Sequence, residues 1–145
     1  MTDNPYKTPT AEVSVETRLT RSIGWKLYFF AINFIYYIGI YSYLTSEGAG
    51  IAEYLSLAFL VVATAGLFGF TFLKKILSPK FWAPFLTVYI IFNFLYIFIT
   101  QVDLKMGMTD GMYYNSLAFG IIISLPSYYA LYAYGKRNNP IWIGT

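Results

Sequence analysis

Four long apolar stretches, separated by short polar segments, dominate the chain. They cover roughly residues 24–44, 51–73, 81–100 and 112–134. Each is close to the ~20 residues that a helix needs to cross ~30 Å of hydrocarbon. The strands of membrane barrels are instead about ten residues long and alternate in polarity, which these stretches do not. The pattern predicts an all-α integral membrane protein whose four spans form a four-helix bundle.

An internal repeat links the two halves of this region. Asn-Phe-Ile-Tyr at 33–36 recurs as Asn-Phe-Leu-Tyr at 93–96, and Ser-Leu-Ala-Phe at 56–59 recurs at 116–119. Both matches share an offset of 60 residues. We therefore expect two tandem helical hairpins that cross the membrane in the same direction. Such a parallel repeat has a pseudo-twofold axis along the membrane normal.

The positive charges predict the orientation. Nine of the ten Lys and Arg residues fall before or at the start of the first span, between the second and third spans, or after the fourth, whereas Lys105 falls in another loop. Because cytoplasmic segments are enriched in Lys and Arg, we expect both termini in the cytoplasm of a bacterial inner membrane. The chain then divides into a flexible cytosolic leader (1–22), a membrane domain (23–137) and a short cytosolic tail (138–145).

The composition argues against catalysis and against nucleic acid. Of the 145 residues, 57% are hydrophobic and 12% are charged, and there is no Cys and no His. Zinc and haem therefore lack their usual ligands, and we expect no enzyme, no metal and no cofactor. The net charge of +3 is explained by the flanks of the spans rather than by a basic binding face, so nucleic acid is not an expected partner.

Polar side chains in the first and third spans form one candidate site, an intramembrane polar cluster. Tyr89, Asn93 and Tyr96 fall on one face of a helix, and Asn33 and Tyr36 approximate the same stripe in the first span. Such groups can form hydrogen bonds between helices in hydrocarbon. They either complete the bundle interior or line a ligand or transport pathway.

A second candidate region, for helix packing, lies in the fourth span. Ser116, Gly120, Ser124 and Ser127 recur at helical spacing, which is typical of a face that packs closely against another helix. Pro126 lies among them and cannot donate to the helix ladder. We therefore expect a kink there, with Ser124 or Ser127 hydrogen-bonding to the freed backbone.

The third candidate is the leader motif formed by Asn4, Pro5, Tyr6 and Pro9. The two prolines favour extended conformation in their neighbours, and Asn-Pro favours a turn. The motif is either a recognition tag for a partner or a disordered lead-in to the first span.

Two features resemble bacterial membrane protein families. The leader motif is similar to the NPYxxP start of many small inner-membrane proteins. The layout of the spans resembles that of the DUF2569-type four-span proteins, on the basis of Ile23-Gly24-Trp25, Lys74-Lys75, Trp82 and Pro84 before an Asn-bearing third span, and Pro126 ahead of Lys136-Arg137. These families have no assigned activity, so the resemblance implies localisation and topology and adds no mechanism.

Two functional hypotheses follow. The leading one is a non-enzymatic accessory or assembly factor that binds other membrane proteins or lipid. The alternative is a small transporter or channel that works as a homo-oligomer, because four spans are few for a pathway. The expected partners are membrane lipid and either other membrane proteins or further copies of this chain.

Overall fold

The chain folds into four long helices and one short one. The computed structural model describes residues 20–45, 50–105 and 108–143, without the side chains at 43, 44 and 98–105. The helices are α1 (Ile23–Thr45), α2 (Ile51–Phe72), α3 (Pro79–Lys105), α4 (Asp110–Gly135) and α5 (Pro140–Ile143). The described part contains no strand. The predicted all-α class is confirmed.

Four of these helices are long and apolar enough to cross a membrane. They overlap the four apolar stretches predicted from the sequence, although α3 begins earlier and ends later than its predicted span. Large apolar side chains are exposed along all four, as in Phe34, Val61, Phe94 and Ile122. Exposed side chains of this kind suit a hydrocarbon environment rather than water. The protein is therefore a multi-pass membrane protein.

The starts of α2 and α4 are capped by polar side chains. At α2, the Glu53 carboxylate accepts a hydrogen bond of 2.8 Å from the backbone N–H of Gly50, and its charge complements the positive end of the helix dipole. At α4, the hydroxyl oxygen of Thr109 accepts a hydrogen bond from the backbone N–H of Met112. Both helices therefore begin where the sequence provides a partner for unpaired backbone N–H groups.

The bundle is centred on α2 and α4. These two helices pack against each other, while α1 packs chiefly on α2 and α3 packs chiefly on α4. A tight approach between α2 and its neighbours occurs at Gly66, where a Cβ atom would overlap the side chains of Leu131 and Trp82. Gly69, one turn later, lies equally close to the ring of Tyr134.

Buried side chains concentrate at one end of the bundle. This closed end comprises the start of α1, the end of α2, the α2–α3 loop and the end of α4 with α5. The open end comprises the other ends of the four long helices, and Tyr113 is the buried residue described there. The remaining buried side chains lie near mid-bundle or toward the closed end: Ile32, Ala63, Leu67, Phe70, Thr71, Trp82, Tyr89, Ser127, Ala130, Leu131, Tyr134, Asn139 and Ile141.

The C-terminal segment packs against the closed end. Asn139 is buried, and its amide nitrogen donates a hydrogen bond of 2.7 Å to the backbone oxygen of Ala133. The indole N–H of Trp142 donates to the backbone oxygen of Tyr134 at 2.6 Å. The segment expected as a short tail thus contributes α5 and a buried Ile141 to the core.

Candidate functional site: a tyrosine and serine cluster between the helices

A hydrogen bond between α1 and α4 is the first element of the site. The hydroxyl of Tyr28 donates to the backbone oxygen of Ile123 at 2.8 Å and lies 2.7 Å from the Ser127 hydroxyl oxygen. Because a phenol carries one hydrogen, Ser127 acts as the donor in the second contact. Pro126 lies in this turn of α4, where a proline withdraws one N–H from the helix ladder. Tyr28 thus supplies a donor to the backbone near that proline.

Three further tyrosines complete the cluster. The Tyr36 hydroxyl lies close to the side chains of Ser124 and Ser127 and to Tyr28 and Tyr128. Tyr89 is buried, and its ring centroid lies 5.7 Å from that of Tyr128. The tyrosine–serine cluster consists of Tyr28, Tyr36, Tyr89, Tyr128, Ser124 and Ser127.

The two asparagines at the repeat offset make equivalent bonds within their own helices. The amide nitrogen of Asn33 donates to the backbone oxygen of Phe29 at 2.7 Å, and that of Asn93 donates to the backbone oxygen of Tyr89 at 2.7 Å. Such amides can form hydrogen bonds between membrane helices, but these two bond to the backbone of their own helices. A short amide side chain reaches the carbonyl four residues earlier, so each asparagine is satisfied locally. Asn93 additionally interacts with the Tyr89 side chain.

The structure therefore brings together some of the residues of the predicted polar cluster. Tyr36, Tyr89 and Asn93 meet near the middle of the bundle. Asn33 is half-buried on its own helix, and Tyr96 is half-buried with its ring 6.0 Å from that of Phe92.

The predicted packing stripe on α4 divides into two parts. Ser127 is buried in the cluster, and the Ser124 hydroxyl donates to the backbone oxygen of Gly120 at 2.8 Å. Ser116 and Gly120 are exposed, and a Cβ atom added at Gly120 would meet nothing within 4 Å. The expected close packing at these two residues is not formed within the described part of the chain.

Sequence reasoning missed Tyr28 and Tyr128 as members of the cluster. The signal was present: Tyr28, Ile32 and Tyr36 follow i, i+4, i+8 spacing, which places them on one helix face. Ile32 is 1% exposed and marks this face as the inward one.

The chemistry of the cluster is that of neutral hydroxyl groups. Each of them can donate and accept hydrogen bonds, and Tyr28 and Ser127 already use this capacity to join α1 to α4. Among the described residues, no group of three or more His, Cys, Asp or Glu side chains could hold a metal ion. The arrangement can fasten helices together or offer hydrogen bonds to a small polar solute.

The leader motif of Asn4, Pro5, Tyr6 and Pro9 lies outside the described residues. Its two interpretations, a recognition tag and a lead-in, remain predictions.

No known protein family, no curated protein and no solved structure gives a significant match to this chain. The resemblance to DUF2569-type proteins therefore stays a prediction.

Proposed function

We propose that this protein is a non-enzymatic accessory or assembly factor that binds a helix of another membrane protein within the bilayer. The supporting observation is the uncovered small-residue face of α4 at the open end. Gly120 leaves open space beside the helix, and Ser116, one turn earlier, is exposed as well.

This face has the character of a helix-packing surface, and no helix in the described part of the chain covers it. Small residues four positions apart allow transmembrane helices to approach closely, and hydroxyl groups add hydrogen bonds between them. At the closed end, Gly66 and Gly69 serve this purpose inside the chain, where Trp82, Leu131 and Tyr134 fill the space beside them. At Gly120, the same kind of space is available to a partner helix.

Site-specific photo-crosslinking at Ser116 in intact cells tests this proposal. We expect a crosslink to one membrane protein, and we expect Gly120→Leu to abolish it because the larger side chain fills the space. Gly39 is the matched control, since it also has open space beside it on α1, and Gly39→Leu should retain the crosslink. Equal crosslinking by both variants contradicts the proposal. A crosslink between two copies of this chain would show that the partner helix belongs to a second copy and that the protein forms a homo-oligomer.

The tyrosine–serine cluster supports the second candidate, a small oligomeric transporter or channel. Hydroxyl groups in the interior of a span can replace part of a solute's hydration. In liposomes containing the purified protein, this candidate predicts a flux of protons or monovalent cations that Tyr36→Phe with Tyr89→Phe reduces. A flux indistinguishable from that of protein-free liposomes removes this candidate.

We further propose a bacterial inner-membrane location with both termini in the cytoplasm. In support, the antiparallel arrangement gathers most of the described cations at the closed end: Arg21, Lys26, Lys74, Lys75, Lys80, Lys136 and Arg137. Positive residues favour the cytoplasmic side. Reporter fusions after Thr45, Leu77, Lys105 and Thr145 should read outside, inside, outside and inside. A C-terminal reporter that reads outside contradicts this topology.

A further inference from the structure

A cleft of about 300 Å³ opens at the closed end, between the start of α1 and the end of α4. Its walls include Trp25, Phe70 and Tyr129, and its polar lining includes Arg21, Lys136 and Asn138. The rings of Trp25 and Tyr129 are stacked with centroids 6.1 Å apart. Trp and Tyr at the ends of spans are typical of the level of the lipid headgroups. The Arg21 cleft, as we name it, therefore lies where a lipid headgroup would be.

Among the described residues, Arg21 contacts the neutral ring and backbone of Phe70. Its guanidinium carbon lies 4.0 Å from the centre of the Phe70 ring, and its Nε donates to the backbone oxygen of Phe70 at 3.4 Å. Arg21 is partly buried, and this burial lowers its pKa, whereas its interaction with Tyr129 raises it. A guanidinium has five N–H donors, and its terminal nitrogens make no hydrogen bond to the described residues, so they can donate to a ligand.

Lys136 supplies a second cation that is also positioned by an aromatic ring. Its ammonium nitrogen lies 4.4 Å from the centre of the Tyr132 ring. A cation–π contact orients a charge without neutralising it. The described carboxylates, Glu53 and Asp110, lie at the starts of α2 and α4 at the open end. Within the described part of the chain, the cleft thus carries two positive charges that no carboxylate compensates.

An apolar surface leads away from the cleft along α4. Leu125 and Ile122 lie one and two turns before Tyr129 on the same helix face, and both are exposed, at 55% and 66%. An anionic group in the cleft could therefore be joined to hydrocarbon chains that run beside α4. A free anion would bind the cations of the cleft but would not contact the apolar surface of α4.

We propose that the Arg21 cleft binds the phosphodiester headgroup of an anionic phospholipid, with its acyl chains against the Leu125 face of α4. Arg21 donates two hydrogen bonds to the phosphate oxygens, a geometry that matches the planar guanidinium. Lys136 contributes a second charge at the rim of the cleft. The cleft lies at the opposite end of the bundle from the proposed partner-binding face at Gly120, so the two proposals can fail independently.

Native mass spectrometry of the full-length protein in detergent, titrated with phosphatidylglycerol, tests this site. We expect Arg21→Gln with Lys136→Gln to raise the apparent dissociation constant by about tenfold or more, since two charge-assisted contacts are removed. Lys74→Gln with Lys80→Gln is the matched control, because it removes the same charge from exposed positions at the same end. This control pair should bind as the wild type does.

Further measurements separate a built site from a diffuse attraction. Arg21→Lys keeps the charge but loses the planar pair of donors, so it should bind less tightly than the wild type and more tightly than the double variant. Equal losses in both double variants overturn the proposal in favour of general electrostatic attraction. Displacement of the lipid by inorganic phosphate or glycerol phosphate in molar excess overturns the assignment to lipid. Circular dichroism verifies that every variant keeps its helices.

Discussion

The hydroxyl of Tyr134 donates a hydrogen bond to the backbone oxygen of Lys74, 60 residues earlier in the chain. The same hydroxyl accepts a hydrogen bond of 2.8 Å from the backbone N–H of Ile76. One side chain at the end of α4 thereby satisfies two backbone groups of the α2–α3 loop. The loop in turn accepts a bond of 2.8 Å from the indole N–H of Trp82 to the oxygen of Ile76. Tyr134 thus fastens the end of α4 to the α2–α3 loop at the closed end.

Tyr134→Phe should therefore destabilise the folded protein. Tyr134 is 0% exposed, so removal of its hydroxyl leaves two partly buried backbone groups without this partner. The expected loss is about 1–3 kcal/mol in the free energy of unfolding. The measurement is reversible unfolding in mixed micelles of a mild detergent and dodecyl sulfate, followed by circular dichroism.

The control for this change is Tyr129→Phe on the same helix. Tyr129 is exposed, at 59%, and its hydroxyl makes no hydrogen bond to the described residues. Its loss should alter the unfolding free energy by less than about 0.5 kcal/mol. Similar losses in the two variants would contradict the fastening role of Tyr134.

Gly66→Ala tests the close approach of α2, α4 and Trp82. The added methyl group would overlap Leu131 and Trp82, which are both fully buried and so have little room to move. We expect a loss of about 1–3 kcal/mol from overpacking. Gly39→Ala, at a position with open space, should be neutral or stabilising by up to about 1 kcal/mol because alanine favours the helix. The same unfolding assay compares them, and equal effects would exclude a packing role for Gly66.

The sequence allowed the helices to be predicted because the bilayer imposes a length and a polarity on each span. It could not show which helices meet. Trp82 illustrates the reason. A tryptophan at the end of a span gives the same sequence pattern whether it faces lipid headgroups or packs between helices, and Trp82 is 0% exposed. The loop geometry decides between the two, including the positive φ of 56° at Leu73 and 58° at Leu77. Neither leucine signals such a conformation, since it is commonly occupied by glycine.

The same limit applies to the candidate site. Helical spacing correctly grouped Tyr89 with Asn93, because these residues share one helix. It could not predict the contact between Tyr36 and Ser127, because that contact depends on how α1 packs against α4. It also could not show that the face at Gly120 has no neighbour among the described residues, since small residues have the same spacing whether or not another helix packs on them.

Thr71→Val should stabilise the protein. Thr71 is 1% exposed, and its hydroxyl oxygen has no hydrogen-bond partner among the described residues. Valine has nearly the same shape and avoids the cost of an unpaired buried hydroxyl, so we expect a gain of about 1–2 kcal/mol in the free energy of unfolding. Thr87→Val is the control, because Thr87 is exposed and bonds to the backbone oxygen of Ala83 at 3.3 Å. A loss of stability in Thr71→Val would indicate that the hydroxyl has a partner, such as an ordered water.

Double-mutant cycles distinguish local from shared hydrogen bonds in the membrane interior. Asn33 and Asn93 each bond to a carbonyl of their own helix, so the effects of Asn33→Leu and Asn93→Leu should add to within about 0.5 kcal/mol. Tyr28 and Ser127 bond directly across α1 and α4 at 2.7 Å, so Tyr28→Phe and Ser127→Ala should couple by about 0.6–1.7 kcal/mol, the range for hydrogen bonds between membrane helices. Unfolding free energies of the four single and two double variants give both coupling energies in one experiment. Coupling between the asparagines above this additive limit would indicate a hydrogen-bond network shared by α1 and α3. Additivity between Tyr28 and Ser127 would contradict the hydrogen bond between α1 and α4.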